Sequence, residues 1–151
     1  MKEVKKNLRI SIEKSRGNGN LEIFIRNKSN AKLGDSLVNF IYSVAKSLVF
    51  GIPTGTKVSD SILSEAYKGS LWHKTNALKL TGDKGRIADA TEALVLYFWL
   101  YSDLDLGKLI DPLISHLDPT RLHHPKEERS TAVLSFINLF NSLFEVFSES
   151  K

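Results

Sequence analysis

Apolar residues recur at helical spacing along most of this 151-residue chain, and this periodicity restricts its fold more than any other feature. Side chains three and four positions apart lie on the same face of an α-helix. Three long segments have the pattern: residues 33–48, 86–101 and 126–148. The second is almost entirely apolar in its later turns, which is typical of a helix buried on most sides. The sequence therefore predicts an all-α fold, a bundle of amphipathic helices around a common core.

Shorter segments also have helical signals. Residues 59–69 end in glycine, and residues 106–117 are amphipathic but contain Pro112. The first 28 residues are ambiguous, because residues 8–12 and 21–25 alternate between apolar and polar as β-strands do, with GNGN (17–20) between them. An isolated two-stranded hairpin is only marginally stable. We therefore expect two short helices here rather than a β-hairpin.

Composition narrows the class of protein. The chain is 42% hydrophobic and 25% charged, as ordinary globular domains are. We expect residues 1–151 to form a single domain, with 1–28 as a basic N-terminal segment and 126–148 as a C-terminal packing helix. The chain has no cysteine, so disulfides and thiolate metal sites are excluded. Its first residues do not resemble a secretory signal, and no long uncharged apolar run occurs in the sequence. We expect a cytoplasmic protein without a membrane span.

Positive charge is concentrated near the N-terminus. Residues 1–34 contain nine Lys or Arg and three Glu, whereas the rest of the chain contains twelve basic and fourteen acidic residues. A basic segment on a nearly neutral body can bind phosphate groups. A solvated basic face explains the charge equally well.

Carboxylates occupy unexpected positions in two of the predicted helices. Asp35 follows a glycine in KLGDSLVNFIYSVA, in the expected first turn, and Asp89 and Glu92 are three positions apart in ADATEALVLYFWL. That spacing places the last two on one helix face. If the helices pack side by side, the three carboxylates converge, and Mg²⁺ or Mn²⁺ would neutralise their repulsion. Glu65, in SILSEAYK, is a further candidate ligand.

A simpler role suits the same carboxylates. Acidic residues in the first turn of a helix stabilise it by interacting with the positive end of the helix dipole. Spacing alone does not separate this capping role from metal binding.

The two acidic segments resemble the motifs of a known family. KLGDSLVNFIYSVA is similar to the signature segment of the ribonuclease III catalytic domain, and ADATEALVLYFWL is similar to that family's second acidic motif. The resemblance extends over about residues 28–118. It is closest to the compact archaeal or mini-ribonuclease III form, which has no separate double-stranded-RNA-binding domain. We expect this chain to be too short to include one.

The resemblance implies a helical homodimer that binds double-stranded or structured RNA between its subunits. It implies cleavage with Mg²⁺-bound carboxylates, leaving a 5′-phosphate and a 3′-hydroxyl. In this chain, the resemblance assigns Asp35 and Glu92 as the principal metal ligands and Asp89 as the residue that holds metal-bound water. The candidate contacts to RNA phosphates are Lys28, Lys32, Lys84 and Arg86.

One position departs from the family signature. The signature has a glutamate four residues before its aspartate, where this chain has Ala31. Glu65 is the candidate replacement. Two functions from different classes therefore remain open: a metal-dependent endoribonuclease, and a catalytically weak or inactive module that binds RNA or a protein partner. A helical interaction protein without any role in RNA binding is a third.

Overall fold

Eight α-helices and no β-strand occur in the described part of the chain, which in this computed structural model comprises residues 1–16, 20–122 and 124–150. The fold is therefore all-α, as predicted. The helices are α1 (Lys2–Arg16), α2 (Leu21–Ile25), α3 (Lys28–Phe50), α4 (Asp60–Lys68), α5 (Leu71–Lys74), α6 (Lys84–Tyr101), α7 (Leu106–Ile114) and α8 (Pro125–Glu149).

The N-terminal segment is helical rather than a β-hairpin. Residues 17–19, most of the GNGN stretch, lie outside the described residues. The ammonium group of Lys5 donates to the carbonyl oxygen of Leu104 at 2.7 Å, and the guanidinium of Arg9 donates to that of Leu100 at 2.5 Å. Two basic side chains of α1 thus satisfy carbonyl groups at and just beyond the C-terminal end of α6, where positive charge is favourable.

Helix α6 is the centre of the fold. Most of its side chains are buried, and α2, α3 and α4 pack directly against it. Helix α8 packs against α4, α5 and α7, and the buried apolar side chains of the described residues form one continuous core. The nearly uniform apolar character of α6 follows from this central position, because a helix surrounded by others has little surface in contact with water.

Both helices that carry the acidic motifs begin earlier than their apolar patterns predicted. Asn27 caps α3 by accepting from the backbone N–H groups of Ser29 and Asn30, and Asp83 caps α6 by accepting from that of Arg86. The prediction that Asp35 lies in a first turn was therefore wrong.

Capping is excluded as the role of the acidic motif residues. Helix α3 begins at Lys28, so Asp35 lies about two turns inside it. Asp89 and Glu92 likewise lie beyond the first turn of α6.

Helix α8 is long and apolar enough to cross a membrane, but 44% of its most apolar stretch is buried inside the protein. Its Phe136, Phe140 and Leu143 are almost completely buried. The indole N–H of Trp72 donates to the carbonyl oxygen of Phe140 at 2.8 Å. A core helix passes the same test of length and composition, and these contacts are those of a core helix.

Helix α3 has two apolar faces. One faces the core with Val38, Ile41 and Ala45. The other, which we call the α3 stripe, is at least partly exposed and consists of Leu33, Leu37, Phe40, Val44 and Leu48. The apolar periodicity of this segment predicted a single apolar face. The sequence alone does not distinguish apolar residues that pack in the core from apolar residues that remain on the surface.

Candidate active site

Helices α3 and α6 pack against each other very closely at Gly34. A Cβ atom at this position would overlap the backbone carbonyl group of Glu92 and lie 3.0 Å from the amide nitrogen of Ala93. Only glycine allows this approach, since every other residue has a Cβ atom. The contact places the next residue, Asp35, beside Glu92.

Asp35 and Glu92 form a close pair of carboxyl groups. The side chain of Glu92 is 3% exposed, and its carboxyl is near enough to that of Asp35 to share a hydrogen bond. Burial raises the pKa of Glu92 to about 9, with further contributions from this hydrogen bond and from the negative charges of Asp35, Asp89 and Asp60. Glu92 therefore retains its proton at neutral pH unless a cation compensates its charge.

Asp89 lies one helical turn before Glu92 and is half-buried. Partial burial raises the pKa of Asp89, the negative charge of Asp60 raises it further, and the positive charge of Lys28 opposes the change. The three carboxylates predicted from the two motifs are therefore electrostatically coupled across α3 and α6.

Asp60 was not predicted, and its charge acts on both Asp89 and Glu92. It is the first residue of α4, after the N-cap Ser59, and α4 packs against α6. In the sequence, Ser-Asp indicates only the start of a helix. Glu65, the predicted replacement ligand, forms an ion pair with Arg129 at 2.5 Å and is not among the charges that act on Glu92.

Asn39 orients Asp35. Its side-chain amide donates to the carboxylate of Asp35 at 3.1 Å, and its side-chain oxygen accepts from the backbone N–H of Val58 at 2.8 Å. Asn39 is four positions after Asp35, so the two side chains lie on the same helix face. This spacing is the one feature of the sequence from which the role of Asn39 could have been predicted. The bond to Val58 depends on a loop that is distant in sequence.

The donor atoms of the Asp35–Glu92 pair are suited to a hard divalent cation. Within the described residues, no group of three or more His, Asp or Glu side chains is arranged to hold a metal ion. Mg²⁺, however, commonly uses one or two carboxylates and completes its coordination with water and substrate phosphates. No described Lys or Arg forms an ion pair with either carboxylate, so a cation would relieve their repulsion.

Two of the four predicted phosphate contacts lie near the carboxylates. Lys28 and Arg86 line a cavity of about 470 Å³, whose wall also includes Asp89 and Ala31. Lys32 and Lys84 are exposed but do not line it. The position of the absent signature glutamate is thus part of a cavity wall next to the acidic site.

The comparison with known families agrees with this site. A family model described as Ribonuclease III matches residues 28–148, which is most of the chain and includes α8. The chain belongs to the ribonuclease III family. The ribonuclease III domain is a hydrolase domain that acts on RNA. A comparison with curated proteins found no match.

Proposed function

We propose that this protein is a divalent-metal-dependent endoribonuclease that cleaves double-stranded or structured RNA, leaving a 5′-phosphate and a 3′-hydroxyl. The observation that carries the proposal is the Asp35–Glu92 pair at the close contact of α3 and α6, in which Glu92 is buried. Neither carboxylate forms an ion pair with a Lys or Arg among the described residues. Membership of the ribonuclease III family supports the choice of RNA as the substrate.

Asp35 and Glu92 would hold the cation, with Asp35 kept in place by Asn39. Bound Mg²⁺ or Mn²⁺ would supply Lewis acidity and an activated water molecule. Glu92 must lose its proton to take part, and its raised pKa means that it does so readily only when a cation is present. Asp89, half-buried on the same helix, would accept a hydrogen bond from the attacking water and hold it at the site.

A homodimer is part of the proposal, and the α3 stripe supports it. The side chains of Phe40 and Leu48 are 54% and 62% exposed, and Ile52, just beyond the helix, is 65% exposed. Phe40 also lines an open cavity of about 370 Å³ with Val44 and Pro53. An exposed aromatic ring beside an apolar recess would let the same surface of a second copy pack against it, as a two-fold symmetric dimer requires. Contiguous exposed apolar surface of this kind commonly marks an interface.

Ala31 supports a second candidate function, a module that binds RNA without cleaving it. Without a carboxylate at this position, the site has one fewer ligand for a cation. Such a module would retain RNA in a salt-dependent manner and release no product.

The decisive test is an incubation of the protein with long double-stranded RNA in Mg²⁺, in Mn²⁺ and in EDTA. We expect metal-dependent fragments with 5′-phosphate ends, and loss of at least roughly 100-fold in rate for Asp35→Asn, because one of two anionic ligands is lost. Asp111→Asn, an exposed aspartate on α7, is the matched control and should cleave normally. Undiminished cleavage by Asp35→Asn would refute the proposed site. Intact RNA that is retarded on a gel at low salt would favour the binding module.

A further inference from the structure

The cavity beside the acidic site is strongly cationic. Its walls come from the end of α2, the first turn of α3, residues 79–81 and the first turns of α6. It contains one carboxylate, Asp89, and four cationic side chains, so its net charge is +3. The four cationic residues are Arg26, Lys28, Lys79 and Arg86.

These four cations outnumber the single carboxylate of the cavity, Asp89, whose pKa is raised by burial and lowered in part by the charge of Lys28. Within the described residues, none of them forms an ion pair, and all four are exposed. The α1 residues Lys5 and Arg9 differ, because they donate to backbone carbonyl groups. Four like charges around one cavity repel each other, and a bound anion would relieve that repulsion. Ala31 contributes only a methyl group to the wall, so it adds no negative charge.

We propose that this cationic cavity binds the 5′-terminal phosphate of an RNA strand. A terminal phosphate monoester carries close to two negative charges and three acceptor oxygens at neutral pH. A diester phosphate within a strand carries one charge, for which four cations are more than is needed. Arg and Lys donors form their strongest hydrogen bonds with such anions. The cavity volume lies within the range of small-ligand sites, which suits a strand end rather than an isolated ion.

The position of the cavity links it to cleavage. Asp89 belongs both to the cavity wall and to the group of carboxylates around Glu92. Resting on the proposed nuclease function, the inference is that a 5′-phosphorylated end is held directly beside the site that generates such ends. Short duplexes with 5′-phosphates would then bind more tightly than their 5′-hydroxyl counterparts, and they would act as product inhibitors.

The experiment measures binding without catalysis. A short RNA duplex, labelled at a 3′ end, is prepared with 5′-phosphates or with 5′-hydroxyls and titrated with protein in EDTA at one fixed salt concentration. Fluorescence anisotropy gives both dissociation constants. We expect the phosphorylated duplex to bind about tenfold more tightly, because charge-assisted hydrogen bonds to the terminal phosphate are added. Equal affinity of the wild-type protein for the two duplexes would overturn the inference.

Two double variants separate the cavity from general electrostatics. Arg26→Ala/Lys79→Ala removes two cavity cations and should bring the affinity ratio close to one. Lys68→Ala/Lys108→Ala removes two exposed charges on α4 and α7 and should leave the ratio unchanged. The proposed site would be refuted if the cavity variant kept its preference for the 5′-phosphorylated duplex, or if the control variant lost that preference. A protein that prefers 5′-phosphates in EDTA but cleaves no RNA would refute the nuclease proposal alone.

Discussion

Glu92 is a carboxylic acid in surroundings that disfavour its charge. It is almost fully buried, next to Asp35, and two further aspartates act on it through their charges. A protein gains no stability from such an arrangement, since burying uncompensated negative charge is costly. Under the proposed function, the ionised form of Glu92 is needed only when a cation is bound, and these surroundings fit that requirement.

The pKa of Glu92 predicts a pH-dependent stability in the absence of metal. Its folded-state pKa of about 9 lies above the ordinary 4.5, so the folded state retains a proton that the unfolded state has lost over this range. The contribution of Glu92 to the free energy of unfolding is therefore most favourable below pH 4.5, and it decreases as the pH rises to about 9. The expected slope is on the order of 1 kcal/mol per pH unit. Urea unfolding in EDTA at a series of pH values measures it.

Glu92→Gln is the matching variant, because glutamine mimics the protonated acid and does not titrate. Its free energy of unfolding should depend less steeply on pH than that of the wild-type protein between pH 4.5 and about 9. Parallel curves for the two proteins would show that Glu92 has an ordinary pKa in the folded state. Mg²⁺ should stabilise the wild-type protein most at the alkaline end of the range.

Asn39 is predicted to act as a positioning residue for Asp35. Asn39→Ala removes the hydrogen bond that orients the carboxylate, and we expect about tenfold weaker apparent affinity for Mg²⁺, as is typical for such supporting groups. The measurement is cleavage rate against Mg²⁺ concentration. Asn138→Ala is the control, since it breaks a comparable bond to the carbonyl oxygen of Pro112, between α8 and α7. An equal loss of apparent Mg²⁺ affinity in Asn39→Ala and Asn138→Ala would indicate a general loss of stability rather than a positioning role.

At the scale of elements, the contact between α3 and α6 determines the site. Asp35 and Glu92 belong to different helices, and their separation depends on how closely the two backbones approach at Gly34. Ala93 of α6, whose backbone lies at this contact, has a small side chain and is fully buried. Close packing of this kind transmits any added volume directly to the distance between the two carboxyl groups.

Gly34→Ala is therefore expected to separate the helices and impair the site. The added methyl group would overlap the backbone of Glu92, which has no flexible end that could move aside. We expect a loss of roughly 1–3 kcal/mol in unfolding free energy, together with weakened Mg²⁺ dependence of stability. Gly55→Ala is the control, because a Cβ atom at position 55 meets no other atom within 4 Å. Wild-type stability of Gly34→Ala would contradict the observed contact.

At the scale of the whole molecule, the α3 stripe is surface that the fold leaves uncovered. It lies on the same helix as Asp35, so a second copy bound there would hold two acidic sites in a constant relation to each other. Double-stranded RNA has two strands to be cut, and a symmetric pair of sites matches that substrate. We expect the dimer to be required for cleavage of both strands.

Phe40→Glu tests this expectation. A charge in the centre of the stripe should convert the dimer to a monomer, because burying an unpaired carboxylate at an interface is unfavourable. Light scattering coupled to gel filtration measures the mass, and circular dichroism should show an unchanged helical content, since Phe40 is exposed. Leu134→Glu introduces the same charge at an exposed apolar position on α8 and should leave the mass unchanged. A wild-type monomer, or a dimeric Phe40→Glu variant, would contradict the prediction.

Most of the fold could be read from the sequence. Apolar periodicity predicted the long helices, and the preference for helices over a hairpin in the first 28 residues is confirmed by α1 and α2. Helix starts were less accurate, because the caps Asn27 and Asp83 lie before the apolar pattern begins. The grouping of Asp35, Asp89 and Glu92 could be expected from two local motifs.

By itself the sequence determined the helical class, the positions of the acidic motifs and the family, because these are encoded in residues that are near one another in the chain. Only the tertiary structure decided which distant residues complete the site. It brought Asp60 rather than Glu65 toward the carboxylate pair, placed Ala31 in the wall of a cationic cavity, and left the α3 stripe exposed. The physical reason is that charge coupling and burial depend on packing between helices, which a single helix pattern does not specify.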